Sequence, residues 1–124
     1  MIFESELRVL NLLWENGECT ASQLAGWLNV SVGWKKTTTY TIIKRCIAKG
    51  YVRRLDQDFI CVPVITLEEA RQSAIEDLAD RMFNGSPDLM TATLLGRKSL
   101  TKKQVVDLQK LVETFSEDVN EKAT

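Results

Sequence analysis

The fold of this chain is decided by the stretch from residue 34 to residue 52, which reads WKKTTTYTIIKRCIAKGYV. Four of its residues recur at the i, i+3, i+4, i+7 spacing that predicts one buried face of a helix: Thr39, Ile42, Ile43 and Cys46. The opposite face would carry hydroxyls, cations and one small side chain: Thr37, Thr41, Lys44, Arg45 and Ala48. Gly50 is expected to end the helix, because glycine takes the left-handed conformation at little cost. A helix with such an outer face suits a polyanion.

The middle of the chain is basic, although the chain as a whole has a net charge of −1. Residues 1–63 carry eight Lys/Arg and six Asp/Glu, whereas residues 64–124 carry eight and eleven. No Asp or Glu stands between Cys19 and Leu55, where the sequence has seven cations: Lys35, Lys36, Lys44, Arg45, Lys49, Arg53 and Arg54. Because salt screens exposed charges beyond about 8–10 Å, this local basic face matters more than the total charge.

The composition argues against an enzyme or a metal protein. The chain has 124 residues, no histidine and three cysteines, and these form no Cys-x-x-Cys pair. Without histidine it lacks the usual general base near neutral pH, and it carries no nucleophile or phosphate-loop motif. We therefore expect no catalytic residues, no metal site and no cofactor, and we expect the cysteines to be buried apolar residues. The sequence shows no signal-peptide pattern and no long apolar run, which predicts a cytoplasmic protein.

The first half of the sequence predicts a helix-turn-helix motif followed by a β-hairpin. Thr20 and Gln23 have the spacing of a capping box at the start of a second helix. That helix should end near Asn29, so that residues 29–33 connect it to the basic helix. The expected elements follow in this order: helices over residues 3–16, 20–29 and 34–50, a strand over 51–55, a turn at 56–58 and a strand over 59–62.

The second half of the sequence predicts three further helices, opened at Thr66, Ser86 and Thr101 by capping residues. Three helices in about 60 residues make a thin core, so we expect them to pack against a second copy of the chain. The alternative is that they fold back on the first domain of the same chain. An apolar stripe, which continues to Val119, supplies the expected dimerisation residues: Leu78, Met82, Val105, Leu108, Leu111, Val112 and Phe115.

The predicted fold class is therefore mostly α with a small β-hairpin. A winged helix-turn-helix domain over residues 1–65 would precede a helical dimerisation domain over residues 66–124. With these elements placed, the chain resembles the BlaI/MecI/CopY family of penicillinase repressors over nearly its full length. The resemblance rests on these residues: Glu6-Leu7-Arg8-Val9-Leu10, Leu13-Trp14, Gly17, Thr20-Ala21, Trp34, Thr38, Thr41, Arg45, Lys49-Gly50, Phe83-Asn84-Gly85-Ser86 and Leu100-Thr101.

The resemblance implies a homodimer that represses transcription from a dyad-symmetric DNA operator, and, in the penicillinase branch, a membrane sensor protease as a further partner. The sequence departs from the family in three places. Thr93-Leu94 stands where the family has its cleaved Asn-Phe pair, and no cysteine follows Cys61, unlike the copper-responsive branch. Thr39 replaces an aliphatic residue, so it should either weaken the core slightly or bond back to a helix carbonyl.

On this interpretation the basic helix enters the major groove of DNA. The cations near its start and in the wing would hold phosphates, whereas the hydroxyls and cations of its outer face would lie nearest the base edges. The expected phosphate contacts are Lys35, Lys36, Thr37, Arg53 and Arg54. The expected base contacts are Thr38, Thr41, Lys44 and Arg45.

Two other functions fit parts of the sequence. Winged helices also serve as protein-interaction modules without nucleic acid, since fold does not fix function. The long acid-free stretch argues against that alternative, because a simple interaction module should intersperse acids there. A small-molecule-sensing regulator is the second alternative, and it would require an apolar cavity between helices.

Overall fold

The computed structural model describes residues 1–55, 57–96 and 100–123, with side chains as far as residue 118. The turn residue Asp56 and the side chain of Val119 lie outside the described residues. The elements follow in chain order: α1 (Glu4–Asn16), β1 (Cys19–Thr20), α2 (Ala21–Val32), α3 (Lys36–Ala48), β2 (Val52–Leu55), β3 (Ile60–Pro63), α4 (Leu67–Met82), α5 (Pro87–Leu95) and α6 (Lys102–Ala123).

Helix α2 begins as predicted and ends later than predicted. Thr20 N donates to Gln23 Oε1 at 2.9 Å and Gln23 N donates to Thr20 Oγ1 at 3.1 Å, so the capping box forms. The prediction that the helix ends near Asn29 was wrong, because the helix continues for almost one turn to Val32. It stops at Gly33, whose φ of 72° is the left-handed conformation that glycine allows. The connection to α3 is therefore only three residues long, Gly33 to Lys35.

Helix α3 ends at the predicted glycine. Gly50 has a φ of 81°, and two hydrogen bonds close the end of the helix: Tyr51 N donates to Cys46 O at 2.9 Å and Gly50 N donates to Ile47 O at 3.0 Å. This pair of bonds is the Schellman arrangement. It turns the chain directly from α3 into β2, so the helix and the wing are joined by one tight turn.

The sheet has three antiparallel strands in the order β1-β3-β2. The predicted hairpin corresponds to β2 and β3, in which Leu55 pairs with Ile60 and Val52 with Pro63. The added strand β1 pairs with β3, and Cys19 lies directly opposite Cys61. A strand of two residues is too short to show an alternating pattern, which is why the sequence analysis does not predict β1.

The main core is built wholly from residues 2–65. It joins α1, α2, α3 and the sheet, and all three cysteines lie in it, with 3% or less of their surface exposed. Thr39 is also fully buried, and within the described part of the chain its hydroxyl has no hydrogen-bond partner. The back-bond to a helix carbonyl does not form, so Thr39 carries a cost of about 1–3 kcal/mol relative to a satisfied group.

The C-terminal helices bury few side chains in the single chain. Among the described residues, α4 buries Ala70 and Ala79 and α5 buries none. The apolar face of α6 stays exposed, with Val112 at 59% and Phe115 at 62%. Helix α6 therefore does not bury its apolar face against the first domain, as the alternative prediction required. None of the helices described is both long and apolar enough to span a bilayer.

Candidate nucleic-acid interface

The outward face of α3 is a continuous polar surface. Thr37, Thr41 and Lys44 project within about 60° of one another around the helix axis, because they are spaced by four and three residues. All three side chains are exposed, as are Lys35, Lys36 and Thr38 near the start of the helix. The opposite face is fixed in the core by four buried residues: Thr39, Ile42, Ile43 and Cys46. Core packing therefore fixes which face of α3 is exposed to solvent.

The first turn of α3 is arranged to accept an anion. The N-cap residue is Lys35, which makes no side-chain cap, and the first turn contains no acid. Its leading backbone N–H groups therefore point outward without a side-chain acceptor, at the positive end of the helix dipole. Lys35 and Lys36 add charge at the same end. Such a helix start is suited to a phosphate group.

The hydroxyl of Thr41 already donates a hydrogen bond within α3. Its hydroxyl donates to Thr37 O at 2.9 Å, a back-bond common for threonine in helices. The methyl group and the oxygen lone pairs remain for an external partner. Thr41 is therefore better suited to contact a thymine methyl or to accept from a base amino group than to donate.

Arg45 lies where periodicity alone does not place it. The pattern puts it on the outward face, but its side chain turns toward α1 and is half-buried. Arg45 Nε lies 3.1 Å from Glu6 Oε2, and Arg45 Nη2 donates to Ser5 Oγ at 2.7 Å. The guanidinium is thereby engaged within the chain. The structure gives Arg45 a role in fixing α3, and its contact to a base remains a prediction.

The partner of Arg45 is a buried carboxylate that sequence analysis does not identify as a site residue. Glu6 has no exposed surface. Its Oε1 accepts from Lys49 Nζ at 2.9 Å and from Phe3 N at 2.8 Å, and the Phe3 ring covers Lys49 with Nζ 3.9 Å from its centroid. We call Glu6, Arg45 and Lys49 the Glu6 cluster. It ties the last turns of α3 to the first turn of α1.

The charge of Glu6 is maintained by these contacts. Burial alone raises the pKa of the carboxyl, but the Phe3 amide, Lys49 and Arg45 together lower it more. The net pKa of Glu6 therefore lies below its ordinary value of 4.5. The carboxylate is ionised at neutral pH, so two of the seven cations in the acid-free stretch share one acid that lies outside that stretch.

The two wing arginines lie on opposite faces of the sheet. Side chains alternate along a strand, so Arg54 shares a face with the buried Val52, whereas Arg53 points the other way. The guanidinium of Arg54 lies over the ring of Phe59, with Cζ 3.8 Å from the centroid. Both arginines are exposed, but only Arg54 is on the side of the sheet that faces α3.

Comparison with known proteins gives a family for most of the chain. The family model described as "Penicillinase repressor" matches residues 2–114. A curated relative, described as an uncharacterised 16.5 kDa protein in the ptsI 3′ region of Latilactobacillus sakei, is 23% identical over 113 residues. These residues cover 90% of this chain and 77% of the relative.

Solved structures share the fold. The solution structure of the DNA-binding domain of the repressor BlaI has a TM-score of 0.52 at 22% identity, covering 56% of this chain and 87% of that one. The Bacillus licheniformis BlaI monomer in complex with the blaP half-operator has a TM-score of 0.49 at 22% identity, with the same coverage. The first of these likenesses shows the winged-helix fold.

Proposed function

The chain belongs to the penicillinase repressor family of winged-helix DNA-binding transcriptional repressors, and we propose that it acts as a homodimer on a dyad-symmetric operator. The observation that carries the proposal is the exposed face of hydroxyls and cations on α3, opposite a fully buried face. Membership of this family makes the chain a regulator rather than an enzyme. A repressor works where the chromosomal DNA lies, so we place it in the cytoplasm.

In the proposed complex with DNA, α3 lies in the major groove. Lys35, Lys36 and Thr37 at its start would hold the phosphate backbone, together with the wing arginines Arg53 and Arg54. Thr38, Thr41 and Lys44 would face the base edges. The Glu6 cluster supports this division of roles, because it fixes the far end of α3 and leaves the outward face free.

The proposed dimer uses the C-terminal helices. Residues 1–65 hold the main core and would form the DNA-reading domain, whereas residues 66–124 would form the dimerisation domain. The exposed apolar face of α6 supports this division, since a stable monomer seldom leaves so many large apolar side chains in water. Two-fold symmetry then predicts two half-sites separated by about one turn of DNA, or a multiple of it.

Replacement of Lys44 by alanine should relax sequence discrimination. If Lys44 reads a base edge, Lys44→Ala weakens binding to the operator about tenfold and hardly weakens binding to a random duplex. Lys35→Ala is the matched control, since it removes the same charge at the start of α3. It should weaken both duplexes alike and reduce the slope of log K against log salt by about 0.9. Equal losses on both duplexes for Lys44→Ala would contradict the base-reading role.

In vitro selection of DNA bound by the full chain tests the proposal as a whole. We expect enrichment of an inverted repeat whose half-site centres lie about 10 base pairs apart or a multiple of that. Enrichment of a single unrepeated site would contradict the dimeric reading mode. Failure to enrich any sequence would contradict operator binding itself.

A second function, control by a small molecule, is favoured by one feature. A groove of about 380 Å³ lies between α1 and α4, and its lining includes Trp14, Leu67 and Ala70 together with Arg71 and Arg81. The volume suits a small ligand, and the arginines suit one with an anionic group. A ligand in this groove would contact both proposed domains. Its binding would show as a rise in melting temperature with ligand concentration.

A further inference from the structure

The wing turn holds Phe59 in a backbone conformation that an aromatic residue disfavours. Asp58 and Phe59 are consecutive and both have positive φ, at 59° and 48°. Aspartate tolerates this left-handed conformation, whereas a bulky aromatic residue such as Phe59 is a genuine outlier there, because its side chain crowds the backbone. Backbone strain of this kind persists where the surrounding contacts require it, and it is concentrated at functional positions.

The contacts of Phe59 show what the strained turn achieves. Phe59 O accepts from Ala21 N at 2.9 Å, which anchors the turn to the start of α2. The Phe59 ring meets Tyr40 of α3 edge to face, with centroids 5.5 Å apart and planes at 89°. The Arg54 guanidinium lies over the same ring, with Cζ 3.8 Å from its centroid. Phe59 is therefore a contact shared by α3 and Arg54.

These contacts extend into a row that carries a cation at each end. Lys36 Nζ lies 5.6 Å from the centroid of Tyr40, within the range of a cation–π contact. The row thus runs from Lys36 in the first turn of α3, through Tyr40 and Phe59, to Arg54 in β2. Lys36 and Arg54 are both exposed, so their charges are available to an anion while their side chains rest on aromatic rings.

We propose that Phe59 is a positioning residue that holds Arg54 at a fixed offset from α3, so that Arg54 and Lys36 engage phosphates of one operator half-site together. This inference rests on the proposed DNA-binding function. A free arginine side chain loses rotamer freedom when it binds a phosphate, and a guanidinium already stacked on Phe59 loses less. Arg53 lacks this arrangement, because it projects from the other face of the sheet.

A double-mutant cycle on a selected duplex of about 30 base pairs tests the proposal. Arg54→Gln should weaken binding about fivefold at 0.15 M salt and reduce the salt slope by about 0.9. Phe59→Leu, which keeps an apolar side chain but removes the ring, should weaken binding about two- to fivefold. In the Arg54→Gln background Phe59→Leu should have no further effect. Phe59→Tyr keeps an aromatic face and should bind like the wild type.

Arg53→Gln is the matched control, since it makes the same charge change on the opposite face of the sheet. Its loss should multiply with that of Phe59→Leu, showing no coupling. If the losses of Phe59→Leu and Arg54→Gln also multiply while the wild type binds DNA, the positioning role is overturned and the proposed function stands. A wild-type chain that binds no duplex overturns both.

A measurement without DNA tests the stacking of Arg54 on Phe59 independently of binding. In the wild type and in Phe59→Tyr, the ring should shift the Arg54 Nε–H proton resonance upfield, and Phe59→Leu should abolish that shift. A resonance at the random-coil position in the wild-type chain would overturn the stacked arrangement directly.

Discussion

A chain carrying Val112→Asp together with Phe115→Asp is expected to be monomeric and to bind a two-half-site operator at least about 100-fold more weakly than the wild type. Both side chains are more than half exposed in the single chain, so their replacement should leave its fold intact. If they are buried between two copies, two carboxylates placed there are desolvated without partners. Loss of the dimer removes the linkage that makes the second half-site contact intramolecular.

The matched control lies on the other side of α6. Lys110→Gln with Thr114→Asp makes the same change in net charge, and both positions are exposed and face away from the apolar stripe. This control should remain dimeric and bind normally. Sedimentation and titration of full and half operators distinguish the two chains. If the Val112/Phe115 variant remains a dimer, the interface lies elsewhere.

Replacement of Glu6 by alanine should cost about 2 kcal/mol of unfolding free energy. Removing one partner of a buried ion pair typically costs about 3–5 kcal/mol, and the value here is reduced because Arg45 and Lys49 keep part of their solvent exposure. The far end of α3 also loses its ion pairs to α1. We therefore expect Glu6→Ala to reduce the preference for operator over random duplex, measured by competition titration.

Glu4→Ala provides the control for Glu6→Ala. Glu4 pairs with Arg8 at 3.5 Å on the surface of α1, with its side chain 85% exposed. The two variants change the net charge equally, but surface pairs of this kind contribute less than about 0.5 kcal/mol. A Glu6→Ala chain as stable as Glu4→Ala in urea would contradict the structural role of the Glu6 cluster.

The Glu6 carboxylate also makes the free energy of unfolding depend on pH, and its contribution decreases in acid. The folded pKa of Glu6 is below the ordinary 4.5, so its contribution is fully present above that value. It is lost as the pH falls from about 4.5 through the folded pKa, where protonation breaks the ion pairs. Comparison of urea midpoints at pH 7 and at about pH 3.5 should show a smaller drop for Glu6→Gln than for the wild type.

Local signals in the sequence predicted the elements well. The spacing of Thr39, Ile42, Ile43 and Cys46 marks the buried face of α3, and the structure buries all four. Glycine at position 50 and threonine at position 20 mark helix ends because each satisfies a local backbone requirement. The end of α2 was missed because Asn29 resembles a helix end and Val30, which follows it, is 86% exposed. Val32, four residues after the buried Leu28, continues the stripe and packs against the core.

The arrangement of the site could not be predicted from local sequence patterns, because it depends on contacts between residues far apart in the chain. Glu6 and Arg45 are 39 residues apart in sequence, and only the packing of α1 against α3 brings them together. Periodicity places Arg45 on the outward face of α3. It does not show that a neighbouring helix captures the side chain. The separation of Arg53 from Arg54 follows from strand alternation, which becomes informative once Val52 is known to face the core.

The three thiols in the main core allow the rate at which that core opens to be measured. Burial raises the pKa of Cys46 to about 12 and that of Cys61 to about 11, and the thiolate is the reactive form. An alkylating reagent can therefore reach them only when α3 and the sheet come apart. The labelling rate then counts these openings, and each thiol reports on its own element: Cys19 on β1, Cys46 on α3 and Cys61 on β3. The labelling rates of the three thiols thus measure how often α3 separates from the sheet.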